Sequence, residues 1–358
     1  MKNIILTGDR PTGKLHLGHY VGSLKNRVKI QDDGNFDKMF IMIADSQALT
    51  DNFKEPSKVR ENIIEVLLDY LSVGLNPEKV HIFIQSEVSA LTELTFYYQN
   101  FVTLARLMRN PTVKDEIVER GFDNNIPMGF LAYPISQAAD ITAFKANIVP
   151  VGQDQIPVIE QTREIVKSIN STYNTGLVMP EAIVPKEEFC ARLPGTDGKN
   201  KMSKSLNNSI YLSDSEEDIK KKVMSMYTDP DHISISDPGK IEGNVVFTYL
   251  DVFANDNDFK KHLPEYNNLD ELKEHYQRGG LGDVVIKNFL NNVLQDFLRP
   301  IREKRLELEK NKEYLYKVLK EGTEVAIKEA NNTLKELKDS MKINYFANDN
   351  YLNELIDK

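Results

Sequence analysis

Two short stretches carry residues whose types and spacing suit phosphate chemistry. The first, Thr7-Gly8-Asp9-Arg10-Pro11-Thr12-Gly13-Lys14-Leu15-His16-Leu17-Gly18-His19-Tyr20, follows an apolar run and leads into an apolar-periodic helix. A strand, a glycine turn and a helix N-terminus together turn backbone N–H groups and the positive end of the helix dipole toward an anion. His16 and His19 share one face of that helix, where imidazole N–H groups can bind phosphate oxygens. Gly18 between them leaves room for a flat base to approach. The spacing is neither G-x-G-x-x-G nor G-x-x-x-x-G-K-[ST], which weakens dinucleotide and P-loop readings. Taken alone, H-x-G-H also fits a capped helix with two incidental surface histidines. The second stretch, Lys201-Met202-Ser203-Lys204-Ser205, follows a loop containing Gly195 and Gly198. Lysines on a segment that glycines allow to move suit the charge that develops transiently on a phosphate. A solvated basic loop is the ordinary alternative.

These residues need elements to position them. Short apolar runs at 4–7, 39–44, 80–85 and 148–151 read as strands. They alternate with helical patterns such as 56–73, where Val59, Ile63, Val66, Leu67 and Tyr70 recur at helical spacing. The rhythm predicts an α/β fold, a Rossmann-type doubly wound parallel sheet, with a second, all-helical domain. The break comes at Pro194-Gly195-Thr196-Asp197-Gly198. Beyond it the chain reads as helix at 216–226, 281–298, 300–309 and 312–341, with loops at 229–243 and 278–282. The expected division is a catalytic domain over 1–192, a mobile loop and linker over 193–209 and a helical domain over 210–358, with its last helix free to pack back on the first domain.

Composition narrows the function classes. The 358 residues include 45 Lys+Arg against 54 Asp+Glu, a net charge of −9, which argues against coating nucleic acid through global positive charge. Local clusters remain at Lys220-Lys221-Lys222 and at Arg299, Arg302, Lys304 and Arg305. Interleaved with Glu303, Glu307 and Glu309, the second cluster also reads as a solvated helix face. With 41% hydrophobic and 28% charged residues the chain is neither disordered nor fibrous in type. The single cysteine, Cys190, excludes an internal disulfide, and no Cys/His cluster has zinc spacing. This usage fits a reducing cytosol. Ile4-Ile5-Leu6 is far shorter than a signal-peptide core or a membrane span, so a cytoplasmic protein is expected.

The pairing of H-x-G-H after the first strand with K-M-S-K-S before a helical half resembles the class I aminoacyl-tRNA synthetases. Within that class the stretch GDRPTGKLHLGHYVGSL, the run Tyr133-Pro134-Ile135-Ser136-Gln137-Ala138-Ala139-Asp140-Ile141 and the run Val149-Pro150-Val151-Gly152-Gln153-Asp154-Gln155 are similar to the bacterial tryptophanyl-tRNA synthetases. The resemblance continues through QRGGLGD at 277–283 and RPIREKR at 299–305. It implies activation of L-tryptophan by ATP to tryptophanyl-adenylate, then transfer to the 3′-terminal adenosine of tRNA(Trp). It further implies Mg2+ accompanying the ATP, a helical anticodon-binding domain and a homodimer, with no membrane or DNA partner. Some relatives carry an iron–sulfur cluster, which one cysteine cannot ligate, and no zinc is expected. The chemistry needs no triad, because the substrate carboxylate is already a nucleophile. Catalysis then reduces to in-line positioning and charge stabilisation at the α-phosphate. A tyrosyl-tRNA synthetase is the nearest alternative, although VPVGQDQ and GDRPTG favour tryptophan. A non-catalytic tRNA-binding paralogue is opposed by intact His16, His19, Lys201 and Lys204, and a small nucleotidylyltransferase by the long helical half.

The same resemblance distributes roles. It places Arg10, Pro11, Thr12, Gly18 and His19 along the ATP, with His16 helping to hold the phosphates, and Gly152, Gln153 and Asp154 on the ribose and adenine side. Lys201 and Lys204 would stabilise the departing pyrophosphate, with Met202, Ser203 and Ser205 beside them at the nucleotide and Leu193 against adenine. Gly8 would lie under the substrates, where a Cβ would collide. For the amino acid it sets Asp140 against the indole N–H and Tyr133 with Gln155 at the α-amino group, with Gln137 and Gln47 in the same pocket. Indole offers one donor and no acceptor, so an acceptor-only carboxylate is a suitable reader. Capping the next helix is the ordinary alternative for Asp140. The better-known bacterial subgroup often has Asn at the position of His19, Met at that of Gln137 and His at that of Gln47. No metal ligand and no anticodon-reading residue is assigned.

Overall fold

Residues alternate between two faces along the first strands, and both faces are buried. In the computed structural model, which describes residues 3–122, 125–184, 193–200, 202, 206–347 and 350–356, the strands are β1 (Ile4–Asp9), β2 (Lys38–Ile43), β3 (His81–Ile84), β4 (Ile148–Pro150) and β5 (Glu181–Ile183). They form one parallel sheet in the order β3-β2-β1-β4-β5. The four expected strands are present. β5 was not expected, because Glu-Ala-Ile is too short and too polar to stand out as an apolar run. The chain reverses its direction of winding between β1 and β4, which opens a crevice at the carboxyl ends of those two strands.

One face of the sheet, with Ile5, Met39, Ile41 and Ile43, packs on the Pro56–Ser72 helix, and that core runs on without a break into Val245, Phe247, Leu290 and Leu298 of the helical half. The opposite face, with Leu6, Phe40, Met42 and Phe83, packs on the helices Ser89–Tyr98, Tyr133–Ala143 and Ile156–Tyr173.

β3 is an edge strand, and the helix Lys312–Ser340 covers it. Thr323 Oγ1 accepts the Ile84 N–H at 3.3 Å, and Thr333 donates to the Ala143 carbonyl at 2.8 Å. Gly322 sets the approach, since a Cβ there would lie 2.0 Å from the Ile82 carbonyl oxygen. Alanine would gain about 1 kcal/mol of helix propensity, but overpacking against rigid backbone costs about 1–3 kcal/mol. Gly322→Ala is therefore expected to lower the thermal unfolding midpoint. An unchanged or higher midpoint would mean the helix stands off the strand.

The helical half departs from expectation at Pro300. The candidates at 281–298 and 300–309 are one helix, Asp283–Leu308, running through the proline. Pro300 is exposed, and the carbonyl its missing N–H leaves unpaired belongs to Asp296, a half-buried residue, while Leu298 and Ile301 on the inner face hold the helix together across the lost bond. The loops at 229–243 and 278–282 pack on each other: Gly239 N–H donates to the Tyr276 carbonyl at 2.9 Å and Gly280 N–H to that of Ile235 at 2.6 Å. Asp283 receives Tyr276 Oη at 2.7 Å and Thr228 Oγ1 at 2.5 Å, with His232 Nδ1 at 3.0 Å. No helix among the described residues is long and apolar enough to cross a membrane.

Candidate active site

A cavity of about 440 Å³ opens where the winding reverses, between the ends of β1 and β4. Gly8, Arg10, Thr12 and His19 line one side, and Gln47, Tyr133, Gln137, Asp140, Gly152 and Gln155 line the other. Residues far apart in sequence thus meet in one crevice. Pro11, His16, Gly18, Gln153, Asp154, Leu193 and Met202 do not border it. Lys201, Ser203, Lys204 and Ser205, like Cys190, lie outside the described residues.

The H-x-G-H segment is built differently from the expectation. A helix begins after His16, and its second turn, Tyr20–Leu24, is π-helical before the α-helix resumes at Lys25. Such turns recur at functional sites, and this one presents Gly22 and Ser23 to the cavity. Three N–H groups at and just before the start of that helix are taken up within the protein. Leu15 N–H goes to Asp69 Oδ2 at 2.7 Å, His16 N–H to His19 Nδ1 at 3.2 Å and Leu17 N–H to the Ile210 carbonyl at 2.9 Å. The histidines are not incidental surface residues: His16 is buried, and its ring centroid lies 3.9 Å from that of His19. Gly18 is half-buried, and a Cβ there would meet the His16 ring at 3.0 Å and Met202 Sδ at 3.3 Å, so close packing within the turn favours glycine. At Gly8 the colliding atom is the Met42 carbonyl oxygen of β2, 2.3 Å from a built Cβ, so strand packing already demands glycine.

Lining the cavity is a largely buried ion pair that sequence reading missed. Arg27 Nη1 donates to Asp9 Oδ2 at 2.5 Å, Tyr70 Oη donates to the same oxygen at 2.7 Å, and Arg27 Nη2 reaches the Gly8 carbonyl at 3.1 Å. Burial alone would raise the Asp9 carboxyl, but the Arg27 guanidinium overrides it and holds the group at about 2. Arg10, which lines the cavity, shares Asp51 Oδ2 with Arg120, at 3.2 and 2.5 Å. Glu116, also lining the cavity, has its carboxyl raised by burial.

On the other side, Asp140 is inside the Tyr133–Ala143 helix, 1% exposed, so it does not cap the helix that follows. Gln85 Nε2 donates to both of its oxygens at 3.0 Å, while Gln85 Oε1 accepts the Gln47 N–H at 3.0 Å. The backbone bond fixes which end of the Gln85 amide faces the acid, and it is the donor end. Burial pushes the Asp140 carboxyl up to about 7 against the pull of that amide. The Tyr133 hydroxyl is buried and has no hydrogen-bond partner among the described residues, and burial raises its pKa. A signal for Gln85 existed in the sequence: a polar residue closing an apolar run stands at the carboxyl end of a parallel strand, where such sheets bind ligands. Arg27 gave none, since it reads as one more charged residue on an amphipathic helix.

Gln155 Nε2 donates to Asp154 Oδ2 at 3.1 Å, and Gln153 and Asp154 are exposed on the turn before the Ile156–Tyr173 helix. Leu193 and Met202 are buried in the core shared with the helical half. The glycines of the preceding loop serve close packing. A Cβ at Gly195 would lie 2.1 Å from Asn208 Nδ2, and Gly198 adopts φ +69°. Thr196 is tied on both sides, its N–H to the Asn208 carbonyl and its carbonyl to the Tyr227 N–H, each at 2.9 Å. Among the described residues no group of three or more His, Cys, Asp or Glu is placed to hold a metal ion.

Comparison with known proteins agrees with this geometry. The chain is 59% identical over 348 residues to a tryptophan–tRNA ligase of Clostridium longisporum, covering 97% of this chain and 99% of that one. It is 60% identical over 346 residues to the tryptophan–tRNA ligase of Streptococcus mutans, covering 96% and 99%. A crystal structure of tryptophanyl-tRNA synthetase from Campylobacter jejuni, complexed with ADP and tryptophan, superposes with a TM-score of 0.80 at 31% identity over 95% of this chain and 99% of that one. The family model for class I tRNA synthetases of W and Y matches residues 1–299. The chain belongs to that family, the class I aminoacyl-tRNA synthetases for tryptophan and tyrosine.

Proposed function

We infer that this chain is a tryptophan–tRNA ligase, which activates L-tryptophan with ATP and transfers it to tRNA(Trp). The observation that carries the reading is the buried Asp140 carboxylate at the wall of the switch-point cavity, beside a Tyr133 hydroxyl with no partner of its own. A cavity offering a fixed acceptor suits an amino acid whose ring carries a single donor. The near full-length identity to tryptophan–tRNA ligases supports the same conclusion.

In the first step a tryptophan carboxylate oxygen attacks the α-phosphorus of ATP. The new P–O bond forms the mixed anhydride as the bond to pyrophosphate breaks. In the second step a hydroxyl of the terminal ribose of the tRNA attacks the anhydride carbonyl, and AMP leaves. Magnesium comes in with the ATP as part of the substrate. Our reading places the triphosphate along Arg10, Thr12 and His19, with Gly152 toward the ribose, and lets Lys201 and Lys204 neutralise the leaving pyrophosphate. It sets Asp140 at the indole N–H, with Tyr133 and Gln155 at the ammonium group and Gln47 and Gln137 completing the pocket. His16 supports the turn from behind rather than facing the cavity. We also read the protein as a cytoplasmic homodimer; Phe96, Leu104 and Met108, exposed within one stretch of chain, are candidates for a covered face.

Gln85 should act through Asp140 as a positioning residue. Gln85→Leu removes both donors to the ionised carboxylate, so its pKa rises further. The acid limb of kcat/KM for tryptophan is then expected to move toward alkaline pH by roughly one unit, on the scale of one charged hydrogen bond. A pH profile superimposable on that of the unaltered protein would remove Gln85 from the account. The function itself is tested by charging a tRNA(Trp) transcript with labelled tryptophan. Stable esterification of the transcript is expected, and none with a tRNA(Tyr) transcript given tyrosine.

A further inference from the structure

A single helix of the helical half grips the H-x-G-H segment from two sides. Arg305, on the helix Asp283–Leu308, is 3% exposed, so it is no part of a solvated basic face. Its guanidinium pairs with Asp69 Oδ1 and the Glu65 carboxylate, reaches the Glu65 carbonyl at 3.2 Å, and donates through Nε to Glu309 at 3.1 Å. Asp69 is fully buried, and its other oxygen accepts the Leu15 N–H at 2.7 Å, one residue before His16. One turn earlier on the same helix, Arg302 holds the Asp214 carbonyl at 3.4 Å and the Glu216 carboxylate at 2.9 Å. Asp214 Oδ2 in turn accepts the Tyr211 N–H at 2.8 Å. That segment pairs with the motif directly, with Leu17 N–H to the Ile210 carbonyl at 2.9 Å and Leu212 N–H to that of Leu15 at 3.0 Å.

Neither arginine lines the cavity, yet both end on the backbone that carries His16 and His19. We propose that Asp69 and Arg305 are positioning residues for adenylate formation, holding the H-x-G-H turn at its working distance from the nucleotide phosphates by anchoring Leu15 to the helical half. This rests on the reading of that turn as the ATP site. A misplacement of about 1 Å at a reacting centre can cost on the order of 10²-fold in rate, so a buried anchor on a turn is where rate, rather than amino-acid affinity, is set.

Changing one partner alone strands a buried charge and confounds folding with positioning, so the test changes both. Asp69→Leu with Arg305→Met removes the pair and the Leu15 anchor. Asp69→Asn with Arg305→Met removes the charges but keeps an amide oxygen for the Leu15 N–H. In tryptophan-dependent ATP–pyrophosphate exchange the leucine pair is expected to lose on the order of tenfold or more in kcat, with the tryptophan KM within about twofold. The asparagine pair should recover most of that loss at a similar unfolding midpoint. Unchanged kcat in the leucine pair, a tryptophan KM that moves as far as kcat, or an asparagine pair no better than the leucine pair would each overturn the proposal while leaving the function standing. If the leucine pair does not fold, Arg305→Lys carries the test, since it keeps the charge but loses the planar fork. A smaller drop in kcat at constant tryptophan KM supports the proposal, and no drop overturns it. Absence of exchange by the unaltered protein would overturn both the function and the positioning role.

Discussion

Asp140→Ala is expected to lower kcat/KM for tryptophan on the order of 10²- to 10³-fold and to erase most of the preference over phenylalanine. A site built to receive one N–H discriminates strongly against an analogue that lacks it, because the unpaired polar group is left buried. Asp140 is such a group: 1% exposed, on the cavity wall, with its carboxylate oriented by the Gln85 amide. The alanine variant has no acceptor to leave unpaired, so phenylalanine should lose little while tryptophan loses much. Exchange kinetics with both amino acids decide the matter. If neither changes, Asp140 serves only to satisfy Gln85, and the indole is read elsewhere. The same group predicts a pH dependence. Its carboxyl is raised to about 7, so the ionised acceptor is lost as pH falls through that value, and kcat/KM for tryptophan should fall on the acid side.

The second large effect belongs to the lysines. Lys201→Ala or Lys204→Ala is expected to slow adenylate formation on the order of 10²- to 10³-fold per group, with tryptophan affinity nearly unchanged. As the bond from the α-phosphorus to pyrophosphate breaks, negative charge builds on the leaving group, and an ammonium aimed there contributes most in the transition state. The structural support is Met202, the residue after Lys201, whose sulfur packs on Gly18 of the H-x-G-H segment. One residue of the second motif thus lies against the first. Single-turnover formation of tryptophanyl-adenylate is the direct measurement. Rates equal to those of the unaltered protein would assign the lysines to the solvated loop that their composition also allows.

The sequence and the structure agree where periodicity and chemistry coincide. β1 and β2 were legible because apolar runs bounded by turns have few other readings, and the crevice between β1 and β4 follows from parallel winding. What could not be read was set by contacts distant in sequence. β5 is a strand only because β4 pairs with it. Pro300 sits inside a helix because Leu298 and Ile301 are buried on either side of it. Arg305 looked like one of a basic patch and is instead an internal cation, because Glu65 and Asp69 from a helix some 240 residues away close around it. At the site the residue types were legible and the bonding was not. The N–H groups of Leu15, His16 and Leu17 bond to Asp69, His19 and Ile210. Gln85, which orients Asp140, was marked only by its place at the end of an apolar run, and nothing there tied it to Asp140.

ATP–pyrophosphate exchange by the purified protein with tryptophan, with tyrosine and with no amino acid tests the central claim most directly. Exchange driven by tryptophan alone is the predicted result, because an acceptor-only carboxylate fully pairs the indole N–H but leaves the acceptor lone pairs of a phenol oxygen without a donor. Exchange driven by tyrosine would contradict it and move the chain to the other half of its family, and no exchange with either would contradict catalysis itself.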